Sequence, residues 1–225
     1  MRNLECARQG FPLAKARAYR YNMDETLRAE LLRRVEKDQA ARNSLDPDAM
    51  QEADGENLPW LKDVVAERGW PGASLVGDDG AHAAWLLAQH ADVDPVFQRR
   101  CLDLLAAAVR AGEATERELA YLTDRVLLAE GQAQVYGTQV TRRGDAWVPQ
   151  NLRDAAGVDE RRAAVGLEPL AEYLQKFDSA PMPAAQLKCP GCARWVPFDE
   201  PEADVPFSFA CPECGQEMTI TCPAP

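Results

Sequence analysis

The chain has 225 residues, a formal net charge of −11 and a hydrophobic content of 46%. That length holds one medium domain and a small one, and the apolar content is sufficient for a packed core. The acidic surface would repel a phosphate backbone, and no apolar run reaches the roughly 20 residues that a membrane-spanning helix requires. Composition therefore argues against nucleic-acid binding and against a membrane span.

The first 22 residues are basic, in contrast to the rest of the chain. They contain five Lys or Arg residues and a single acidic residue, Glu5. They lack the continuous apolar centre of a secretory signal, and Met23 directly precedes a helical pattern. We expect residues 1–23 to be a basic leader, either disordered or the product of an upstream start.

Helices are predicted from residue 24 onward. The first helix is indicated by apolar residues that recur at every fourth position, namely Leu27, Leu31 and Val35. The polar stretch 46–57 predicts a loop. Pro59 then suits the first turn of a second helix, which Gly69 ends.

Three further helices are predicted before residue 131. Segment 70–80 is rich in Gly and indicates a connection, so the third helix is expected over about 80–90. Asp94 with Pro95 begins a fourth helix. A fifth begins at the capping box that Thr115 and Glu118 form, in which each side chain satisfies a free backbone N–H.

The pattern then becomes strand-like. Residues 134–140 and 146–148 predict a short hairpin, and two brief helices follow over 158–165 and 169–177. Residues 178–187 have the composition of a linker. The predicted fold class is therefore mainly α, a multi-helix domain with one small β-hairpin, followed by a small β module.

That C-terminal module carries two C-x2-C pairs, which are Cys189, Cys192, Cys211 and Cys214. Four thiolates at this spacing suit tetrahedral Zn²⁺, and Gly191 and Gly215 supply backbone freedom for the two turns. Because four sulfurs leave no position for water, the zinc is expected to be structural, with one ion per chain. The sequence thus predicts a helical domain over 24–177, a linker and a zinc ribbon over 188–225.

The ribbon is too small to fold by apolar burial alone, so metal binding is expected to supply on the order of 10 kcal/mol or more. Its apolar residues either fill a small core or dock against another surface. Residues 188–217 carry more acids than bases, which disfavours phosphate contact. A protein is the expected partner of the ribbon.

Three cysteines remain once the zinc ligands are set aside: Cys6, Cys101 and Cys222. An odd remainder without a secretory signal indicates reduced thiols in a reducing compartment. We therefore expect a cytoplasmic protein. Cys101 lies among apolar helical residues and is expected to be a small buried hydrophobic side chain.

The chain has only two histidines, His82 and His90. Eight helical positions separate them by about 12 Å and rotate them some 80° apart, so they cannot ligate the same metal ion. His82 follows Asp78 and Asp79 near a predicted helix start, where it acts either as a general base or as a structural residue. His90 lies at a helix end and has the same two alternatives.

Polar residues from several elements are candidates for one pocket. The candidate catalytic residues are His82, Asp124 and Tyr136. The candidate ligand-binding residues are Gln89, His90, Arg125, Thr138 and Gln139. The alternative is structural: residues 136–139 satisfy the edges of the hairpin, and charged residues such as Asp38 and Arg42 form ion pairs on helix surfaces.

A set of distinctive motifs runs from residue 70 to residue 162. It includes Trp70-Pro71-Gly72, His82-Ala83-Ala84-Trp85-Leu86, Gln89-His90-Ala91-Asp92, Tyr121-Leu122-Thr123-Asp124-Arg125-Val126 and Tyr136-Gly137-Thr138-Gln139. Together these motifs resemble an uncharacterised bacterial family of hypothetical proteins, over roughly residues 24–177. The resemblance implies no assigned reaction and no catalytic residues, and the ribbon and the basic leader depart from the usual layout of that family.

Two classes of function follow. In the first, the helical domain binds, or binds and transforms, a polar small molecule or peptide in a pocket lined by His, Asp, Tyr and Gln. In the second, the protein is a non-catalytic interaction module or adaptor whose zinc ribbon docks a partner. The sequence identifies neither a substrate nor a reaction.

Overall fold

A computed structural model of the chain describes residues 23–144, 146–178, 185–198 and 207–220. The chain divides into two compact units, residues 1–179 and 180–225. The predicted basic leader lies outside the described residues except for Met23, as do Cys6, Cys222 and most of the predicted linker.

The first unit is mainly helical, as predicted. Its described residues form seven helices and one antiparallel hairpin: α1 (Glu25–Asn43), α2 (Pro47–Arg68), α3 (Ala73–Gln89), α4 (Pro95–Arg110), α5 (Glu116–Ala129), β1 (Val140–Arg143), β2 (Ala146–Pro149), α6 (Val158–Ala164) and α7 (Leu170–Asp178). Among the described residues, none of the helices combines the length and the apolar character that a bilayer span requires.

Helix α3 lies at the centre of this unit and packs against α1, α2, α4 and α5. Its buried face is rich in alanine, including Ala83, Ala84 and Ala88, and small side chains allow neighbouring helices to approach closely. The core around it contains Leu31 and Leu105, both without exposed surface. Burying each leucine stabilises the fold by about 1.5–3 kcal/mol.

The predicted loop over 46–57 and the predicted helix start at Pro59 are wrong. Asp46 caps α2 by accepting a hydrogen bond from the Asp48 N–H at 2.9 Å, and Pro47 occupies the first turn. Pro59 lies inside α2. The position four residues before it is Gly55, whose carbonyl loses its helical partner because Pro59 has no N–H.

Helix α3 also begins earlier than predicted, at Ala73 rather than near residue 80. The helix is interrupted at Gly77, where φ is 75° and ψ is 168°. This positive φ is readily adopted only by glycine. The segment is fastened to α1 because Arg28 donates two hydrogen bonds to the carboxylate of Asp79, at 2.8 and 2.6 Å.

The starts of α4 and α5 are confirmed. Asp94 caps α4 by accepting a hydrogen bond from the Phe97 N–H at 2.9 Å. Thr115 and Glu118 form the predicted capping box at the start of α5, with both reciprocal hydrogen bonds present.

The hairpin exists but is shorter than predicted. Strand β1 pairs with β2 from Val140↔Pro149 to Arg143↔Ala146, whereas residues 134–139 precede the strand. Only an isolated bridge joins Gln134 to Leu152. Residues 134–139 form a loop because their backbone N–H groups bond to side chains, mainly to Asp124 on α5.

The described residues of the second unit form two antiparallel hairpins. Strand β3 (Ala185–Lys188) pairs with β4 (Trp195–Phe198), and β5 (Phe207–Ala210) pairs with β6 (Glu217–Ile220). Because β3 begins at Ala185, the predicted linker extends too far. The core of this unit is small and comprises Cys189, Val196, Cys211 and Met218, with a few partly buried neighbours.

Candidate metal centre and candidate polar site

The four cysteines of the C-terminal unit converge on one point. Their sulfur atoms all lie within 4.8 Å of one another. The Cys189 and Cys214 sulfurs are 3.6 Å apart, and those of Cys192 and Cys211 are 3.7 Å apart. Sulfurs bound at 2.3 Å to a tetrahedral ion lie roughly 3.8 Å from each other, so the donor set fits such an ion.

The same distances show that the cysteines are not paired as disulfides, because an S–S bond is about 2.05 Å long. All four are free thiols. Backbone N–H groups of Cys192 and Gly191 point at the Cys189 sulfur and lower the pKa of this thiol to about 7. Cys189 therefore favours the thiolate, which is the form that binds a metal. In the same turn, the backbone N–H of Arg194 lowers the pKa of Cys192, but burial and the neighbouring sulfurs of Cys211 and Cys189 raise it overall.

The two cysteine turns have the same backbone geometry. In the first, the Cys189 N–H donates to the Arg194 carbonyl and the Ala193 N–H donates to the Cys189 carbonyl, both at 2.8 Å. In the second, Cys211 and Gly215 make the equivalent bonds, also at 2.8 Å. In each turn, this backbone geometry directs the two cysteine sulfurs toward the same side of the turn.

Glycine supplies the predicted backbone freedom in only one of these two turns. Gly215 has a φ of 75°, whereas the residue in the equivalent position of the first turn is Ala193, with a φ of 59°. Gly191 serves a different purpose: a Cβ at this position would lie 3.2 Å from Gln216 Cβ and 3.3 Å from Cys214 Sγ. Its missing side chain leaves room for the other turn.

In the helical unit, His82 forms a pair with Glu118. The His82 Nδ1 atom lies 3.0 Å from Glu118 Oε1, and Glu118 Oε2 accepts bonds from the N–H and the hydroxyl of Thr115 at 3.0 and 2.9 Å. The His82 side chain is 58% exposed, whereas Glu118 is buried. The carboxylate therefore holds the imidazole from one side and leaves its other side in solvent.

Each group of the His82–Glu118 pair shifts the pKa of the other in the direction that favours its charged form. The hydrogen bond to Glu118 raises the pKa of His82 despite partial burial. Burial raises the pKa of Glu118, but the bonds from His82 and Thr115 outweigh it and lower this pKa overall. The pair therefore favours an imidazolium beside a carboxylate.

His82 lies beside an aromatic ring, and its partner Glu118 lines a small pocket. Its imidazole lies 5.0 Å from the Trp85 ring, and the indole N–H of Trp85 donates to the Glu118 carbonyl at 2.9 Å. Glu118 also lines a pocket of about 130 Å³ together with Thr115, Asp78 and Glu113, with small residues between them, but His82 is not among the lining residues.

The second predicted histidine, His90, belongs to a separate buried network. Its Nδ1 atom lies 2.8 Å from Asp38 Oδ2 and 2.8 Å from Arg42 Nε. Arg42 also pairs with Asp38 Oδ1 at 3.1 Å and with Asp54. The predicted Asp38–Arg42 ion pair is thus present, but Asp38 has no exposed surface. The network links α1, α2 and the end of α3.

Gln89 and Arg125 lie close to the turn between α3 and α4. The amide of Gln98 donates to the Gln89 carbonyl at 3.2 Å and to Asp92 Oδ1 at 3.0 Å. Arg125 binds the other oxygen of Asp92 at 2.6 Å. Gln89 is buried, and its side-chain amide nitrogen has no hydrogen-bond partner among the described residues.

Asp124 organises the loop that precedes the hairpin. Its carboxylate accepts backbone N–H bonds from Val135 at 2.7 Å, Tyr136 at 3.0 Å and Thr138 at 2.9 Å, together with the Thr138 hydroxyl at 3.0 Å. The side chain has no exposed surface. These bonds saturate both oxygens, so the geometry gives Asp124 a structural role and does not support proton transfer by it.

The remaining predicted residues belong to the same loop. Gln139 donates from its side chain to the Thr138 hydroxyl at 3.2 Å. The Tyr136 carbonyl accepts a bond from Arg162 at 2.7 Å, and burial raises the pKa of the Tyr136 phenol. The predicted residues thus divide among separate clusters: the contacts of Tyr136 run to Asp124 and Arg162, whereas those of His82 run to Glu118 and Trp85.

Three residues that matter to these clusters were absent from the predicted site. Glu118 was interpreted only as a capping residue, although it also binds His82. Gln134 and Arg162 have no exposed surface, and Gln134 bonds through its side chain to backbone atoms of Gln139 at 2.8 and 3.0 Å. No local pattern signals their roles, because Glu118 and Arg162 stand beside other charged residues and Gln134 lies two positions from another glutamine.

A wider groove of about 440 Å³ lies between α1 and α2. It is lined by none of the predicted site residues, but by Asp24, Thr26, Leu27, Glu30, Trp60, Val64, Glu67 and Arg68. Two of its three acidic residues are engaged: Asp24 caps α1 and Glu30 binds Arg34. The groove therefore offers few free polar groups.

Comparison with known proteins gives one match. Residues 25–182 match the profile of a family of unknown function, DUF6624. Searches of the curated proteins and of the solved structures found no match. The match covers the helical unit and stops before the four cysteines.

Proposed function

The chain belongs to DUF6624, a family of unknown function, and we propose its function from the geometry of its two units. The C-terminal unit binds one structural zinc ion. The helical unit binds a polar small molecule or a peptide beside His82. The two activities rest on separate observations and are tested separately.

The zinc proposal is supported by the chemistry of the donor set. Four soft sulfur ligands in a tetrahedral arrangement favour Zn²⁺ or iron over Mg²⁺ and Ca²⁺, which prefer oxygen. A set of four protein ligands leaves no open position for water or substrate, so the ion is structural. Its role is to join two hairpins that bury little apolar surface.

Elemental analysis tests the choice of metal. We expect one zinc per chain in protein purified without added metal, and a colourless sample. One iron per chain would keep the site but overturn its assignment to zinc. Less than about half an equivalent of any metal after zinc supplementation would contradict the site itself.

The ligand proposal is carried by one observation, the exposed imidazole that a buried carboxylate holds in place. The Glu118 oxygen 3.0 Å from Nδ1 orients the ring of His82, and Nε2 is then the atom that faces a ligand. An oriented histidine binds polar groups and exchanges protons near neutral pH.

A thermal-shift screen of polar metabolites and short peptides tests this proposal on the full chain loaded with zinc. Hits are then measured with His82→Gln, which keeps a polar side chain but removes the titratable ring. Lys62→Gln is the matched control, because Lys62 is an exposed cation in a salt bridge with Asp94. We expect His82→Gln to weaken binding at least tenfold and the control to have no effect. Equal binding to both variants would contradict the proposal.

A cytoplasmic location completes the proposal. The four clustered cysteines are free thiols, and Cys101 is a buried thiol whose pKa burial raises to about 12. Such a set persists in a reducing compartment. Fractionation of the cells that express the protein should recover it in the soluble cytoplasmic fraction, and recovery with oxidised cysteines outside the cytoplasm would contradict this location.

A further inference from the structure

Four rings form a continuous row that begins at His82. Trp85 follows at 5.0 Å, Tyr121 lies 6.0 Å from Trp85, and Tyr173 lies 6.2 Å from Tyr121. The row crosses three helices, α3, α5 and α7. Trp85 and Tyr121 are partly exposed, whereas Tyr173 is buried beneath them.

Two exposed cations lie along this row. The guanidinium of Arg117 is 5.8 Å from the centre of the Tyr121 ring, and the ammonium of Lys176 is 6.0 Å from the centre of the Tyr173 ring. Glu168 bonds to both cations. The single carboxylate of Glu168 therefore pairs with two cations, Arg117 and Lys176, whose side chains are 46% and 58% exposed.

A third cation lies below the row. Arg162 has no exposed surface and stands 4.8 Å from the centre of the Tyr173 ring. Its Nε and Nη1 atoms donate to the carbonyls of Glu168 at 2.6 Å and Tyr136 at 2.7 Å, and its Nη2 atom has no acceptor among the described residues. Carbonyl dipoles only partly compensate a buried charge, so the surface above it is a favourable place for an anion.

These contacts define the ring–cation row by His82, Trp85, Tyr121, Arg117 and Lys176. From its geometry we infer that the ligand bound beside His82 is a small molecule that combines a planar ring with an anionic group. The inference rests on the proposed function, because His82 forms one end of the row. The ring of the ligand lies over Trp85 and Tyr121, and its anionic group lies near Arg117 and Lys176.

Physical chemistry favours this ligand class over other occupants. Partly exposed aromatic faces attract a second ring, and Arg and Lys bind phosphate or carboxylate groups. A long polyanion such as a nucleic acid is disfavoured, because the chain carries a net charge of −11. A small anion meets only the local positive groups and avoids most of this repulsion.

Calorimetric titration of the full, zinc-loaded chain tests the inference with two probes, adenosine monophosphate and indole-3-acetate. Each contains a planar ring and an anionic group. Adenosine and inorganic phosphate serve as the matching halves of the first probe. We expect at least one of the two complete probes to bind, and each half to bind about tenfold more weakly or not at all. Absence of saturation by either complete probe up to about 10 mM would overturn the inference.

Variants that remove one positive charge test where the anionic group of the ligand binds. Arg117→Gln and Lys176→Gln should each weaken binding of the probe about fivefold to tenfold without a change in circular dichroism. Lys37→Gln is the control, since Lys37 is an exposed cation that also serves two carboxylates, Glu52 and Glu56. Equal affinities for all three variants would show that the row is internal packing and would overturn the inference.

The same titrations separate this inference from the proposed function. If His82→Gln abolishes binding of ligands from the screen while Arg117→Gln and Lys176→Gln leave it unchanged, the proposed site stands and the ligand class is wrong. If the two cation variants weaken binding and His82→Gln does not, the row binds an anion without His82. In that case the proposed function fails.

Discussion

The two units of this protein are stabilised by different interactions. In the helical unit, apolar side chains from several helices surround α3, and the buried carboxylates of Asp38 and Asp124 accept hydrogen bonds on both oxygens. The described residues of the second unit form two two-stranded hairpins, with a core of four buried residues. We therefore expect apolar burial to hold the first unit together, whereas the second unit would depend on the proposed bonds between a metal ion and four sulfurs.

This comparison separates two uses of polar residues. Buried polar side chains in the helical unit fix loops and helix ends relative to an existing core, so each contributes a few kcal/mol. In the second unit, the proposed metal bonds of the cysteines would add to a small core that already contains Cys189 and Cys211. Substitutions should therefore weaken the helical unit gradually but abolish the fold of the ribbon in a single step.

The largest effect is expected for Cys211→Ser. A hydroxyl is a poor zinc ligand, so the site loses one of four bonds and much of the roughly 10 kcal/mol or more that metal binding supplies. Elemental analysis should find less than one zinc per chain, and the ribbon should be unfolded while the helical circular dichroism persists. Full zinc content in this variant would contradict the four-cysteine site.

The second largest effect is expected within the helical unit, for Asp124→Asn. The amide replaces one accepting oxygen with an NH₂ group that faces backbone N–H donors, so buried donors lose their partner. We expect a loss of about 3 kcal/mol in the free energy of unfolding, measured by urea denaturation. Amide hydrogen exchange at Val135, Tyr136 and Thr138 should also accelerate.

The matched control for that variant is Asp103→Asn, because Asp103 is an exposed residue of α4. It should change the free energy of unfolding by less than about 0.5 kcal/mol. An equally small effect of Asp124→Asn would show that its carboxylate is not needed to hold the loop.

A somewhat smaller loss is expected for Asp38→Asn. Burial raises the pKa of Asp38, but the bonds from His90 and Arg42 lower it below its usual range overall. The stabilisation from this carboxylate is therefore present above pH 3.8, its ordinary pKa, and is lost as the pH falls through the lower folded-state pKa. We expect Asp38→Asn to lose about 2 kcal/mol at pH 7, and a loss that stays the same at pH 2 would contradict this account.

The cysteine turns allow a finer test of the ribbon. Gly215→Ala places a Cβ on a residue with φ of 75°, whereas Ala193→Gly relieves a residue with φ of 59°. Each change is worth about 1 kcal/mol, so zinc affinity should fall about fivefold in the first variant and rise about fivefold in the second. Competition with a chromophoric chelator measures both, and a shift in the same direction for both variants would contradict the turn geometry.

The smallest effect is expected for His82→Gln in the absence of ligand. Glu118 raises the pKa of His82, so their pairing stabilises the fold below about pH 6.5 and the stabilisation is lost as the pH rises through the higher folded-state pKa. Because the imidazole is more than half exposed, the loss should be below about 1 kcal/mol. Thermal unfolding of the unsubstituted protein and of His82→Gln should be measured from pH 5 to pH 9. The two melting temperatures should converge at high pH, and a difference that stays constant would exclude the His82–Glu118 pair as its cause.

The sequence predicted those features that depend on neighbouring residues. The capping box at Thr115, the Asp94 cap and the two C-x2-C turns are all local patterns, and the structure contains each of them. The mainly helical fold class follows from the apolar periodicity of the helices. The family match over residues 25–182 supports the resemblance to an uncharacterised family.

Features that depend on contacts between distant residues were missed. Residues 134–139 resemble a strand, but their N–H groups bond to Asp124 on α5 and to the Gln134 side chain. Pro59 resembles a helix start, yet Asp46 and Pro47 already begin that helix. The partner of His82 is Glu118, which lies 36 positions away in the chain, and no local pattern indicates that pairing.

Hydrogen exchange, resolved by residue and recorded before and after zinc is removed with a chelator, tests the difference between the two units most directly. Removing zinc should abolish the protection of the Cys189, Ala193 and Gly215 amides in the ribbon, while amides near Leu31 and Leu122 in the helical core keep theirs. Loss of protection in both units, or in neither, would contradict the account.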